Sequence, residues 1–221
     1  MALAPKFAAH RLTFGQVAAA STEPLHTIEI FLDYVCPYSA KFYNTFYTGV
    51  APKLNSSPLG SKVQVLFRHQ VQPWHPSSTL VHEAGLAVQR AAAAAGTPAL
   101  FWDFSAALFK DQKAYMDTNV VNEGRNATYK RLAALAEQTS EGKLKADAIY
   151  KELEIPNVPA ADGSVNVGNA ITNDLKLVIK AGRLVGVHVS PTVLFDGLVN
   201  NDVSSSWTVE QWIEYLEKVA V

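Results

Sequence analysis

The chain has 221 residues, 48% hydrophobic and 18% charged, which suits one globular domain or a domain with one large insertion. This composition excludes a disordered tail and a coiled coil. The 19 basic and 20 acidic residues leave a net charge of -1, so no global charge recruits nucleic acid or an anionic membrane. One cysteine excludes an intramolecular disulfide, and no apolar run approaches the roughly 20 residues of a membrane span.

The first 21 residues resemble a signal peptide only in part. Lys6 and Arg11 come early and small residues end the segment, but Gly15 and Gln16 interrupt its short apolar stretch. A lone cysteine is also easily tolerated in a reducing compartment. We therefore expect a cytoplasmic protein.

The first half of the chain predicts two strands with a helix between them. Residues 26–34 are rich in β-branched and aromatic side chains, and residues 62–71 alternate apolar with polar ones. Residues 38–48 carry aromatic side chains at helical spacing and follow Pro37, which suits a first helical position. Residues 10–14 predict a further edge strand.

From residue 77 to about residue 182 the pattern changes to helices. Helices are predicted over residues 79–95, from residue 97 past Leu108, over 129–138, over 143–153 and over 167–182. In the second of them Phe101, Trp102 and Phe104 form an aromatic cluster, which either belongs to the core or lines a ligand groove.

The last fifth of the chain returns to strands and ends in a helix. Residues 191–196 and 198–200 predict a hairpin around Gly197. Thr208 and Gln211 have the spacing of a capping box, and Trp207 and Trp212 that of a hydrophobic staple. The predicted fold class is α/β, with one domain formed by residues 1–76 and 183–221 and a helical insertion at 77–182.

Cys36 stands where the first predicted strand gives way to a helix. A sulfur at a helix N-terminus faces unpaired N–H groups and the positive end of the helix dipole, both of which favour a thiolate. The alternative is that Cys36 is a small buried hydrophobe, as isolated cysteines often are. The position of Cys36 between the predicted strand and the predicted helix, directly before Pro37, favours a reactive and exposed sulfur.

The order of strand, Cys36-Pro37-Tyr38-Ser39, helix, strand, helical insertion, and then Ser190-Pro191 opening a hairpin resembles the DsbA-like branch of the thioredoxin fold. The resemblance covers nearly the whole chain. It implies a thioredoxin-like fold with a large all-helical insertion, Cys36 as nucleophile, and Pro191 as a cis-proline that follows Ser190. Pro37, Tyr38, Ser190 and Pro191 would then border the substrate.

The departure from that family is Ser39, which stands where a second cysteine is expected. A hydroxyl cannot perform thiol–disulfide exchange, so unaided dithiol oxidation is excluded. What remains is a monothiol oxidoreductase that uses an external thiol, with glutathione as a co-substrate and no bound cofactor. Because Ser39 lies three residues beyond Cys36, we expect its hydroxyl to donate a hydrogen bond to the thiolate.

Two alternatives stay open. A kappa-type glutathione transferase is similar in build and uses a serine near the same helix start to activate bound glutathione, a role that Ser39 could take. A non-catalytic module would instead hold an extended peptide or another protein beside Pro191. The expected partner is thus a thiol or disulfide substrate, whether peptide or glutathione.

Further candidates follow the second strand. Trp74 and His75 lie at the rim where the insertion begins, and His75 either carries a proton near Cys36 or is a solvated loop residue. Asp33 either acts as an acid or base near the sulfur or caps a chain end. His188, just before the Ser190-Pro191 pair, has an open role. The scattered histidines have no zinc spacing, and we expect no metal site.

Overall fold

A computed structural model describes residues 3–15 and 24–220, which contain a five-stranded sheet surrounded by helices. The small residues 17–21 of the candidate signal segment lie outside the described residues. The strands are β1 (Arg11–Thr13), β2 (His26–Leu32), β3 (Val63–His69), β4 (Thr192–Phe195) and β5 (Leu198–Val199). None of the helices in the described ranges is long and apolar enough to cross a bilayer.

The sheet has the order β1-β3-β2-β4-β5, with β2 at its centre. β2 pairs in parallel with β3, where Ile28 faces Val65, and antiparallel with β4, where Ile28 faces Phe195. The predicted edge strand is confirmed as β1, which pairs antiparallel with β3. The expected hairpin is confirmed as β4 and β5 around Gly197, whose φ of +84° suits glycine.

The helix after β2 is longer than the sequence predicts. α1 (Pro37–Thr45) continues through a π-helical turn at Phe46–Val50 into α2 (Ala51–Asn55). The π-helical turn includes Gly49, where an added Cβ would lie 2.4 Å from a methyl carbon of Val209. The absence of a side chain at Gly49 thus lets this segment pack closely against the C-terminal helix.

The region predicted to be helical contains α3 to α8. Their bounds are α3 (Ser78–Ala94), α4 (Ala99–Lys110), α5 (Asp117–Val120), α6 (Arg125–Thr139), α7 (Ala146–Leu153) and α8 (Thr172–Leu184). The prediction missed the short α5 and was wrong in starting the last of these helices at residue 167. Gly168 has a φ of +67°, and the Asn169 side chain accepts from the Ile171 N–H at 3.0 Å, so the chain turns before α8 begins.

Most buried side chains of the helices and the sheet form one hydrophobic core, which includes Ile30 and Val65 of the sheet and Leu132 of α6, and a smaller separate cluster contains Phe31, Val187 and Leu194. Phe101, Trp102 and Phe104 are also buried in the larger core, so the aromatic cluster of α4 is core. The division of the chain at residues 77 and 182 stays a prediction.

The last helix, α9 (Val209–Val219), confirms the sequence signals. Thr208 accepts from the Gln211 N–H at 3.3 Å, and the Gln211 side chain accepts from the Thr208 N–H at 2.9 Å. The rings of Trp207 and Trp212 are 5.3 Å apart, as a hydrophobic staple requires.

Candidate functional site

Cys36 is the N-cap residue of α1. Its backbone is extended, with φ -90° and ψ 119°, and Pro37 takes the first helical position as predicted. The Cys36 N–H donates to the Asp33 carbonyl at 3.1 Å, which closes the turn between β2 and the helix. The Cys36 carbonyl accepts from the Ala40 N–H at 3.1 Å, so the sulfur-bearing residue belongs to the first helical turn.

The structure brings Cys36 together with the Ser190-Pro191 pair. The Ser190–Pro191 peptide bond is cis, as the resemblance implies. The Cys36 thiol is placed to donate to the Ser190 carbonyl, with Sγ 3.5 Å from that oxygen. Two motifs that are far apart in the chain therefore form one site at the edge of the central strands.

The prediction of an exposed sulfur was wrong. Cys36 is only 5% exposed, whereas Tyr38 beside it is 66% exposed. The buried Gln112 side chain donates to the carbonyls of Tyr34 at 2.7 Å and of Cys36 at 3.0 Å. Gln112 and Ser190, which are both distant from Cys36 in the sequence, therefore pack against Cys36. Their packing leaves the sulfur little access to solvent.

Ser39 does not have the predicted role. Its side chain is fully buried, and its Oγ accepts from the Asp33 N–H at 3.2 Å. In the described ranges no hydrogen bond joins Ser39 to Cys36. The hydroxyl supports the turn that carries the cysteine, because the end of β2 leaves that N–H without a strand partner.

Asp33 forms the centre of a buried polar cluster. Its carboxylate accepts from the Ser78 hydroxyl at 2.9 Å, from His75 Nδ1 at 2.7 Å and from His82 Nε2 at 3.3 Å. Burial opposes the charge and raises the pKa of Asp33, but the hydrogen bond and charge of His82 and the hydrogen bonds of His75 and Val35 outweigh it. The net pKa of Asp33 lies below its ordinary value of 3.8.

His75 is therefore not a free loop residue, and within residues 3–15 and 24–220 no hydrogen bond joins it to the Cys36 sulfur. Its side chain is 25% exposed and binds Asp33, two residues before Val35 and three before Cys36. Trp74 beside it is 60% exposed. Whether His75 carries a proton during a reaction stays a prediction.

A row of histidines, which the sequence analysis missed, continues the cluster into the core. His82 Nδ1 lies 2.7 Å from His69 Nδ1, and His69 Nε2 lies 3.3 Å from His10 Nε2. Burial lowers the pKa of His10 from 6.5 to about 3 and that of His69 well below 6.5. The rings bond one another, and the described ranges hold no group of three or more residues arranged to bind a metal ion.

Gln72 fixes the backbone of the cis-proline segment. In the amide orientation that gives both the oxygen and the nitrogen of Gln72 a hydrogen-bond partner, the oxygen accepts from the Ser190 N–H at 2.7 Å. The nitrogen then donates to the His188 carbonyl at 3.3 Å. His188 itself is exposed, and its Nδ1 lies 3.0 Å from the Gly186 carbonyl. Gln72 thereby connects the segment after β3 to the segment that faces Cys36.

Several solved structures are similar to this chain. A candidate protein-disulfide isomerase from Pseudomonas syringae has a TM-score of 0.67 at 22% identity, covering 96% of this chain and 99% of that one. The thiol-disulfide oxidoreductase MdbA from Actinomyces oris has a TM-score of 0.61 at 20% identity, covering 95% and 88%. BdbD from Bacillus subtilis has a TM-score of 0.60 at 19% identity, covering 96% and 92%.

No family model and no curated protein sequence matches the chain. The structural similarity extends over nearly the full length and includes both the sheet and the helices between β3 and β4. The chain therefore has the DsbA-like thioredoxin fold with a helical insertion.

Proposed function

We propose that the protein is a monothiol thiol–disulfide oxidoreductase that uses glutathione as its co-substrate and Cys36 as its nucleophile. The observation that carries the proposal is the Cys36 sulfur at the N-terminus of α1, 3.5 Å from the carbonyl that precedes cis-Pro191. An extended disulfide substrate lying along the Ser190–Pro191 segment would present its sulfur to Cys36. The similar structures support the proposal, since MdbA is described as a thiol-disulfide oxidoreductase.

The reaction is a pair of exchanges that balance without a second cysteine. The Cys36 thiolate attacks one sulfur of a disulfide, a mixed disulfide forms, and the other half leaves as a thiolate. A glutathione thiolate then attacks the substrate sulfur of the mixed disulfide, which releases Cys36 as a thiolate and the substrate as a glutathione disulfide. Because the sulfur lies at the N-terminus of α1, the positive end of the helix dipole favours negative charge on it in both steps.

The kappa-type transferase mechanism gains no support from Ser39. A serine that activates glutathione must reach a bound thiol, whereas the Ser39 hydroxyl is fully buried and occupied by the Asp33 N–H. Cys36, and not Ser39, contacts the cis-proline segment, through the Ser190 carbonyl.

A non-catalytic binding module remains the second candidate, and the low exposure of Cys36 favours it. With only 5% of the residue exposed, an approaching disulfide has little room for in-line attack unless the covering residues shift. On this view the segment around Pro191 would bind a peptide without turnover.

The two candidates are separated by the glutathione-dependent reduction of a hydroxyethyl–glutathione mixed disulfide. We expect turnover by the wild type, none by Cys36→Ser, and retained turnover in Ser39→Ala. Equal rates in wild type and Cys36→Ser would overturn the proposal. Peptide binding that persists in Cys36→Ser, without turnover in the wild type, would favour the module.

We further propose a reducing compartment, the cytoplasm, because a monothiol cycle needs a pool of reduced glutathione to regenerate Cys36. Fluorescence microscopy of the protein carrying a C-terminal tag tests this, and accumulation in an oxidising compartment would contradict it.

A further inference from the structure

A groove borders the segment that faces Cys36. It lies between the segment that follows β3 and the segment that joins α8 to β4, and its volume is about 520 Å³. Gln72 and Trp74 line one wall, and Arg183, Val187 and His188 line the other. Because Trp74 is 60% exposed, the groove offers a flat aromatic surface to a ligand.

The groove begins at the residues that hold the cis-proline segment. Gln72, one of its lining residues, bonds the Ser190 N–H at 2.7 Å, and the Ser190 carbonyl lies 3.5 Å from the Cys36 sulfur. His188 follows the same wall two residues before Ser190. The groove therefore adjoins the segment along which a ligand bound to Cys36 would lie.

The charged lining of the groove indicates which kind of ligand the groove favours. Arg183 is its one permanently charged lining residue, and the lining contains no aspartate or glutamate. The Arg183 side chain is exposed and makes no ion pair or hydrogen bond with any residue in the described ranges. By contrast, the neighbouring cation Lys180 lies outside the groove on the same helix. A guanidinium binds a carboxylate through two parallel hydrogen bonds, so the groove favours an anion with that geometry.

Resting on the function proposed above, we propose that Arg183 binds the carboxylate of a small peptide thiol or its disulfide, while the sulfur of that ligand reacts with Cys36. Glutathione carries such carboxylates beside its thiol. In the reaction with glutathione disulfide, Cys36 displaces one glutathione thiolate and keeps the other half in a mixed disulfide, so no further oxidant is needed.

The test compares two disulfides that differ in charge. The rate of mixed-disulfide formation on Cys36 is followed by intact mass spectrometry with glutathione disulfide and with neutral hydroxyethyl disulfide. Arg183→Gln should slow the glutathione reaction by about tenfold, which corresponds to about 1.4 kcal/mol, because the charge-assisted hydrogen bonds to the carboxylate are lost. The same variant should leave the hydroxyethyl reaction unchanged, and Arg183→Lys should restore part of the loss.

The matched control is Lys180→Gln, which changes the net charge equally and should leave both rates within about twofold. Equal slowing by Arg183→Gln and Lys180→Gln, slowing of both disulfides by Arg183→Gln, or no slowing at all would each overturn the carboxylate site. A wild type that reacts with neither disulfide would overturn the proposed function and the groove proposal with it. A wild type that reacts with both, without an effect of Arg183, overturns the groove proposal alone.

Discussion

The sulfur of Cys36 lies 3.5 Å from the carbonyl oxygen of Ser190, although the two residues are 154 positions apart in the chain. The contact joins the start of α1 to the segment that opens β4. Both elements border β2, which α1 follows in the chain and which pairs with β4, so the central strand positions the two halves of the site. We therefore expect substitutions of the residues that hold these two segments to change the stability of the turn between β2 and α1 and the reactivity of Cys36.

Gln112 should be one of the strongest stabilising residues of the corner. Its buried amide donates to the carbonyls of Tyr34 and Cys36, and Gln112→Ala removes both bonds, although the Cys36 carbonyl keeps its bond from the Ala40 N–H. We expect the free energy of unfolding to fall by about 2–4 kcal/mol, measured by urea denaturation. The exposed Gln138→Ala in α6 serves as control and should cost less than about 0.5 kcal/mol. Equal effects of the two variants would show that the bonds to the corner do not stabilise it.

Asp33→Asn should destabilise the fold at neutral pH and much less in acid. The pKa of the Asp33 carboxyl is lower in the folded chain than its ordinary value of 3.8, so its ionised form stabilises the fold above that value. The contribution is lost as the pH falls through the folded-state pKa. We expect a loss of about 2–4 kcal/mol at pH 7 and a smaller difference near pH 3, measured by urea denaturation.

The control for this prediction is Asp202→Asn, an exposed aspartate whose replacement should change stability by less than about 0.5 kcal/mol. A difference between wild type and Asp33→Asn that does not depend on pH would contradict the role of the ionised carboxylate.

The buried histidines should make the protein lose stability well before its carboxylates titrate. The pKa of His10 is about 3 in the folded chain against 6.5 ordinarily, and that of His69 is also well below 6.5, both because of burial. Between these values the unfolded chain binds the protons that the folded chain excludes, so stability falls as pH decreases from about 6.5. The expected slope is up to about 1.4 kcal/mol per pH unit for each histidine.

Urea denaturation at a series of pH values between 7 and 4 measures this slope. His10→Phe, which keeps a ring stacked on Phe7, should reduce the slope by about one histidine equivalent. Constant stability of the wild type over this range would contradict the account of the histidine row.

Ser39→Cys should convert the site to dithiol chemistry. The change supplies the second sulfur three residues beyond Cys36 that a resolving step requires. After mild oxidation we expect the intact mass to fall by two hydrogens, and we expect the variant to oxidise a dithiol peptide. Ser39→Ala should show neither effect. If oxidised Ser39→Cys kept two free thiols, the first turn of α1 would not allow the pair to close.

The sequence predicted the elements whose signals are local. The capping box of Thr208 and Gln211, the turn at Gly197 and the strand β1 depend on neighbouring residues, and the structure confirms each of them. The joining of Cys36 to Ser190 was also predicted, because the order of the two motifs resembles that of the DsbA-like fold.

The features that the sequence did not predict depend on distant packing. The burial of Cys36 involves Gln112, which lies 76 residues later, and the histidine row assembles residues from before β1, the end of β3 and α3. Ser39 was given the wrong partner because helical spacing places its hydroxyl near Cys36 but does not show that the Asp33 N–H needs an acceptor.

Incubation of the reduced protein with glutathione disulfide, followed by peptide mass spectrometry, tests most directly whether the sulfur at the start of α1 reacts. We predict one glutathionyl group on Cys36, formed faster in the folded protein than in the urea-unfolded chain at the same pH, and removed by added glutathione. A thiol that stays unmodified in the folded protein, yet reacts once the chain is unfolded, would contradict a catalytic role for Cys36.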